Sequence, residues 1–410
     1  MPWKDTSVTD ERVKFMREYD RHVLGGEMSM SALCEEHGIA RKTGYKMVSR
    51  RNEQGWSGLA DRSRAPHSGP HWSDSDVVMR VLEVRLKFPH WGAETILAHL
   101  RRVEPDGSWP GASAVHRWIK QAGLLSRSVR ARRFPHPGPP GLTTPSEPND
   151  QWSTDFKGHF RTKDGLYCYG LTIADTFSRY LLSCHGLLSP SFEAVWPVYE
   201  RVFREYGLPR SILSDNGTPF SSNSVKRLSK LSVRWIRLGI RPRLTQPGSP
   251  QQNGLLERIH GHMKPLVCSN PARNCREQQK QFDWFWDHHN NVRPNAGCDR
   301  QVPADLYTAS PRPYPSRLPD IEYPAGFEVR KVRSSGDIMW QGQWFFVSEA
   351  LVGEPIGFEP VDNGCWVAHF GPIEIGYYSG RDRKLHLDRV RPNDPTTTKT
   401  SGHVLPMSRQ

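Results

Sequence analysis

Residues 151–160 read QWSTDFKGHF, residues 212–220 read ILSDNGTPF, and residues 247–260 read PGSPQQNGLLERIH. Each stretch sets one carboxylate where a carboxylate is costly or conspicuous. The first alternates as a strand, with Asp155 between Trp152 and Phe156, and an acid there is expensive to bury unless it is paired or holds a metal. In the second, a short strand over 211–214 delivers Asp215 into an Asp-Asn-Gly turn. In the third, a helix beginning near Gln251 carries Glu257. Taken singly, each has a plain structural reading. Asp155 is then a strand-end acid facing solvent, Asp215 an Asx-turn or helix cap, and Glu257 one half of a surface ion pair with Arg258 or His260. Taken together they make a donor set. Mg²⁺ is held by one or two carboxylates with phosphate oxygens completing its shell. Two ions ~3.5–4 Å apart need a shared central carboxylate and one more on each flank, which three acids provide.

Outward from these stretches the texture is α/β. Runs over 151–160, 167–174 and 179–185 predict an antiparallel meander. A helix follows with Phe192, Val195, Tyr199, Val202, Phe203 and Tyr206 on one face, ended by Gly207 and Pro209. Pro197 inside it predicts a kink or a later start. Residues 233–240 read as another strand. After residue 320, short apolar runs alternate with turn signals, including Asp362-Asn363-Gly364, and predict a small all-β barrel. Residues 393–410 lack periodicity and read as a flexible tail.

Upstream, residues 31–51 read SALCEEHGIARKTGYKMVSRR, a helix-turn-helix pattern with Gly38 at the turn. Leu33, Ile39, Tyr45 and Val48 are its expected core. Arg41, Lys42, Thr43, Lys46, Arg50 and Arg51 remain for DNA. A second unit starts after Ser73, with Val77, Val78, Val81, Leu82 and Leu86 as a stripe that Pro89 ends. Its last helix begins near Ser113 as N-cap and offers His116, Arg117 and Lys120. Between this unit and the α/β region, Arg127, Arg130, Arg132 and Arg133 open a proline-rich linker.

Composition agrees with a polyanionic partner. The 410 residues carry 56 Lys and Arg against 43 Asp and Glu, a formal charge of +13. Residues 223–273 alone hold ten cations and one acid, Glu257. Within and beside that run, Lys226, Lys230, Arg241, Arg243, Asn253, Arg258 and Lys264 are candidates for DNA contact. No run of ~18 apolar residues marks a membrane span. The N-terminus has no apolar signal region. Seven cysteines without a CxxC fit a reducing cytoplasm better than a disulfide framework or zinc site.

WSTDFKG, LSDNGTPF and PGSPQQNGLLERIH resemble, in order and local context, the three motifs of bacterial insertion-sequence DDE transposases, members of the retroviral-integrase superfamily. DTFSRY (175–180) and HHNNVRPN (288–295) are similar to its accessory motifs. The resemblance implies an RNase H-like core with Asp155 on the first strand, Asp215 after the fourth and Glu257 on a later helix. These three would be both catalytic residues and ligands of two Mg²⁺ ions, with Mn²⁺ the alternative. The 42 positions from Asp215 to Glu257 exceed the usual gap and predict an insertion around 230–240. No His/His/Cys/Cys set precedes residue 70, so the zinc-binding N-terminal domain of retroviral integrases is not expected.

The expected organisation is multi-domain. It has all-α helix-turn-helix units at 1–66 and 73–126, a basic linker at 127–149 and an α/β integrase core at 150–310. A small all-β barrel at 321–392 and the tail complete it. The activity implied is cleavage of double-stranded DNA at an element's terminal inverted repeats, then joining of the 3′-OH to target DNA. It would be carried out by a homo-oligomer on DNA in the bacterial cytoplasm, without membrane or small-molecule cofactor. The rival is a transposase-derived, non-catalytic DNA-binding regulator.

Overall fold

The structure is a computed structural model that describes residues 8–61, 75–125, 145–246, 250–361 and 364–389. Arg130, Arg132 and Arg133, with most of their linker, and the 393–410 tail lie outside the described residues. The chain divides into two compact units at residues 74 and 75. No described helix is long and apolar enough to cross a membrane.

The first unit holds α1 (Val8–Glu18), α2 (Met30–Glu36) and α3 (Arg41–Gln54). Ser29 starts α2 by accepting from the Ala32 N–H, and Gly38, at φ 61°, makes the turn into α3. Gly44 lets α3 close on α2, since a Cβ there would stand 2.6 Å from Cys34 Sγ. The core is Phe15, Met16, Met30, Leu33, Cys34 and Leu59, with Ile39 and Val48 at its margin. Tyr45, assigned to this core from sequence, is exposed. The unanticipated α1 supplies Phe15 and Met16 in its stead.

The second unit begins with α4 (Ser75–Lys87), α5 (Ala93–Val103) and α6 (Ala112–Gln121) around Val81, Ile96, Leu100, Val115 and Ile119. Leu86, read as part of the stripe, is exposed, and Val84 is buried instead. Gly111 rather than Ser113 is the N-cap of α6.

The central sheet contains β1 (Gln151–Arg161), β2 (Tyr167–Asp175) and β3 (Leu181–Leu187). Next come α7 (Phe192–Tyr206), β4 (Ser211–Ser214), α8 (Lys230–Arg237) and β5 (Arg241–Leu244). Helices α9 (Gly254–Met263), α10 (Cys275–Asp287) and α11 (Pro303–Leu306) follow. Strand order is β3-β2-β1-β4-β5, antiparallel through the first three and parallel from β1 to β5. Helices α7 and α8 cover one face, burying Trp152, Ile173, Tyr199, Phe203 and Trp235. Helices α9 and α10 cover the other through Leu256, Ile259, Met263, Phe282 and Phe285. Ser191 caps α7, which starts at Phe192 and runs on through Pro197.

The strand expected over 233–240 is largely α8. Leu231, Trp235 and Leu238 face the sheet, whereas Val233 and Ile236 pack into the C-terminal domain. A helix buried on two sides is apolar at nearly every position and imitates a buried strand. A capping box between Ser229 and Ser232 fixes its start. The segment where an insertion was expected, 230–240, thus carries a packed core helix.

The C-terminal domain holds β6 (Glu328–Lys331), β7 (Asp337–Trp340), β8 (Gln343–Phe346), β9 (Pro355–Val361), β10 (Cys365–Phe370), β11 (Ile373–Ser379) and β12 (Lys384–Leu387). It is all-β, but the barrel is not closed. Five strands form an open sheet in the order β12-β11-β10-β9-β6, and β7 pairs with β8 alone. The ribbon's Ile338 and Trp340 cover the sheet's inner face without joining its ladder, with Trp340 stacked 3.9 Å from Phe358.

Candidate active site

Strands β1 and β4 run parallel with Thr154 opposite Ser214, so Asp155 and Asp215 are the next residue on each. Neighbouring strands lie about 4.8 Å apart, and equal register puts both side chains on one face. Behind them, Thr154 Oγ1 donates to Thr172 O at 3.2 Å and accepts from the Tyr199 hydroxyl at 2.7 Å. This ties β1 to β2 and α7.

Asp215 keeps its turn role as well, because its Oδ1 accepts from the Gly217 N–H at 3.1 Å. A Cβ at Gly217 would stand 3.0 Å from Asp215 Oδ2, so glycine leaves that carboxylate room. Asn216 ties the turn to the end of β5 by donating to Thr245 O at 2.8 Å. Glu257 lies exposed in the first turn of α9, whose Leu256, Ile259 and Met263 are buried.

Asp155 is the perturbed acid. Burial raises its pKa most, the charge of Asp215 adds to the rise, and Glu257 adds further. The Phe156 N–H and the Lys157 ammonium oppose them, leaving it at about 7. Two acids held side by side and sensing a third form a site short of positive charge. Among the described residues, no three His, Cys, Asp or Glu side chains already converge to hold a metal. The aspartates are neighbours, and Glu257 acts through its charge from α9, the helix that follows residues 247–249.

Three contributors escaped the sequence reading: Lys157, Thr172 and His260. Thr172, opposite Asp155 in the β1–β2 register, donates its hydroxyl proton to Asp155 O at 3.0 Å. It must then accept from His260 Nε2–H, 2.8 Å away, which leaves Nδ1 bare at 3.9 Å from Asp155 Oδ2. Burial and Lys157 push His260 down to about 3, so the ring is neutral. The spacing of three positions from Glu257 was a visible signal. The partner Thr172 emerges only from strand register.

The candidates for DNA contact divide. Arg41, Lys42 and Lys46 on α3 and His116, Arg117 and Lys120 on α6 are exposed, and Thr43 is half-buried. Arg51 is paired with Asp20 at 2.5 Å and lies over Trp56, while Arg50 donates to Ala60 O. Lys226, Lys230, Arg241, Arg258 and Lys264 are exposed. Arg243 donates to Gln151 Oε1 at 2.9 Å. Asn253 is buried at the start of α9 and so is a poor groove contact.

Against known families, an integrase core domain matches residues 145–250 and a second integrase core description matches 238–303. A helix-turn-helix domain matches 11–67 and a homeodomain-like domain 43–119. An uncharacterized protein of insertion element IS476 from Xanthomonas euvesicatoria is 28% identical over 47% of this chain and 54% of its own length. The chain therefore spans about half of that relative. An uncharacterized protein of insertion element IS407 from Burkholderia multivorans is 27% identical over 68% of this chain and 94% of its own. Transposase InsD of insertion element IS2 from Escherichia coli is 24% identical over 57% and 79%. The HTLV-2 integrase catalytic core aligns at 18% identity over 39% of this chain and 97% of that one, with a TM-score of 0.31. With an integrase core match behind helix-turn-helix matches and with relatives among insertion elements, the chain is similar to the insertion-sequence transposases.

Proposed function

We propose that the chain is the transposase of a mobile DNA element, cutting double-stranded DNA at the element's terminal inverted repeats and joining the freed 3′-OH to target DNA. The observation that carries this reading is Asp155, within β1, beside Asp215, just past the end of its paired strand β4, with the Asp155 carboxyl raised by burial and by its neighbours' charge. Such a pair is relieved by cations. Asp155 and Asp215 are the proposed principal ligands of two Mg²⁺ or Mn²⁺ ions, with Glu257 the third. Bound there, the ions would supply positive charge for in-line displacement at phosphorus and acidify the attacking hydroxyl.

The protein's own groups do the positioning. Thr172 and His260 hold the β1 backbone beneath Asp155, and the Gly217 N–H holds Asp215. No side-chain nucleophile takes part. Helices α3 and α6 are proposed to read the repeats, and the exposed cations of 226–264 to bind phosphates. Bringing two ends together calls for a homo-oligomer on DNA, acting in the bacterial cytoplasm.

The test uses the inverted repeats that bracket the gene as substrate. Asp155→Asn, Asp215→Asn and Glu257→Gln should each abolish cleavage and joining while leaving end-DNA affinity within a few-fold. Near-normal strand transfer by any one variant removes that residue from the site. A wild-type chain that binds the repeats tightly but never cuts them favours the regulator.

A further inference from the structure

Between α10 and α11 the chain makes one wide turn, His288–Val292, whose side chains serve two masters. Towards the catalytic sheet, His289 Nε2–H donates to Arg179 O at 3.0 Å. Asn290 clamps β3, donating to Leu181 O at 2.9 Å and accepting from Leu181 N–H at 2.8 Å. Towards α4–α6, the buried His288 ring stacks on Trp91 at 5.7 Å and packs against Phe88 at 5.2 Å. Val292 joins the α4–α6 core.

Two arginines close the same junction. Arg102 of α5 donates to Asn291 O at 2.9 Å and reaches Asp305 of α11 at 3.1 Å. Arg300 pairs with Glu94 at the start of α5. Directly after Val292, Arg293 is half-buried and contacts His262 Nε2 at 3.2 Å, on the helix that carries Glu257. A continuous path of packed side chains therefore joins the second helix-turn-helix unit to the catalytic helix.

Resting on the transposase reading, we infer that this junction fixes how many base pairs separate the sequence read by α6 from the phosphodiester that is cut. Successive phosphates on a strand are about 3.4 Å apart along the duplex axis, and reaction needs atoms held within about 3–3.5 Å. A reader on a free linker of n residues wanders by about 5–6 Å × √n, which spans several phosphates. A reader mortared to the core by an aromatic stack and two-armed arginines does not. Trp91, His288, Arg102, Arg300 and Asp305 are then positioning residues that set cleavage register, apart from both the chemistry and the base contacts.

The experiment maps the 3′ ends made by the full-length chain on duplexes carrying the element's inverted repeats. The wild type should cut at one phosphodiester. Asp305→Arg, which sets a like charge against Arg102, should spread the same products over neighbouring phosphodiesters, with end-DNA affinity within a few-fold. Adding Arg102→Asp to Asp305→Arg should narrow them again, a recovery that general misfolding cannot give. The combination His288→Ala, Arg102→Ala and Arg300→Ala should spread them most. A single unchanged position in that combination, or a charge swap that fails to narrow the products, overturns the inference and leaves the transposase reading standing. A wild type that binds and never cuts overturns both.

Discussion

Asp155 keeps its carboxyl where a negative charge is unwelcome, and this has a measurable consequence for the metal-free protein. Its pKa is about 7 in the fold, against ~3.9 for an unfolded aspartate. The folded state therefore holds a proton that the unfolded chain has lost between about pH 4 and pH 7, and stability falls as pH rises through that window. Replacing Asp155 with Asn removes this loss. In EDTA the variant should melt no higher than wild type near pH 4 and progressively higher towards pH 7, the gap then levelling off. The bound on the gap is about 4 kcal/mol at 25 °C. Mn²⁺ should raise the melting temperature of wild type and leave the variant almost unmoved. A pH-independent gap would show that Asp155 is not the frustrated acid. The residue's other peculiarity, its strand register with Thr172, serves the same end, because it brings the neutral His260 ring rather than another charge against the carboxylate.

At the scale of the element, α8 decides what the basic stretch can do. Arg237 is spent inside the protein, pairing with Asp320 at 3.0 Å and Glu354 at 3.2 Å and donating to Pro319 O. Lys230 and Arg241 are exposed at the start of α8 and on β5. Lys230→Ala with Arg241→Ala should therefore lower the log–log salt slope of DNA binding by about 2, equally for repeat and random duplex. Arg237→Ala should leave that slope unchanged and cost about 1–3 kcal/mol of stability, since its partners lose a charged donor. A salt titration beside a melting curve separates the two outcomes. The same helix marks the limit of what is legible in sequence. Strands β1 to β4 could be read because turn signals bracket each run and one period fits. Helix α8 could not, because Leu231, Trp235, Val233 and Ile236 answer to two cores at once. At the candidate site, the placement of Asp155 on a strand, Asp215 after one and Glu257 on a helix was legible in sequence. Thr172 was not, since its nearness to Asp155 comes from pairing across β1 and β2. The open C-terminal sheet was misjudged for a related reason. Run lengths and turns give strands, but whether Trp340 folds over the sheet or joins it is a tertiary choice.

On the scale of the whole molecule, the two helix-turn-helix units are unequal parts. Helix α3 lies in the compact unit that ends at residue 74, whereas α4–α6 belong to the same unit as the central sheet. Deletions should expose that difference. Removing residues 1–74 takes away Arg41, Lys42, Thr43 and Lys46 and keeps the α4–α6 core with its partners Val292 and Asp305. Preference for the repeats over random duplex should fall, at about 1–3 kcal/mol for each base pair no longer read, while the remaining unit melts as before. Removing residues 1–126 is a heavier loss. It uncovers His288 and Val292, leaves Asp305 and Arg300 without partners, and opens an apolar face that α4 and α5 had buried. That chain should melt lower and show no preference for the repeats, binding DNA only weakly and with strong salt dependence through the cations of 226–264. Competition assays on both truncations, read beside their melting curves, discriminate the parts. Equal melting of the two truncated chains would mean that α4–α6 add nothing to the fold they sit on. Undiminished preference after removal of 1–126 would mean that base reading resides in the core, where neither α3 nor α6 could supply it.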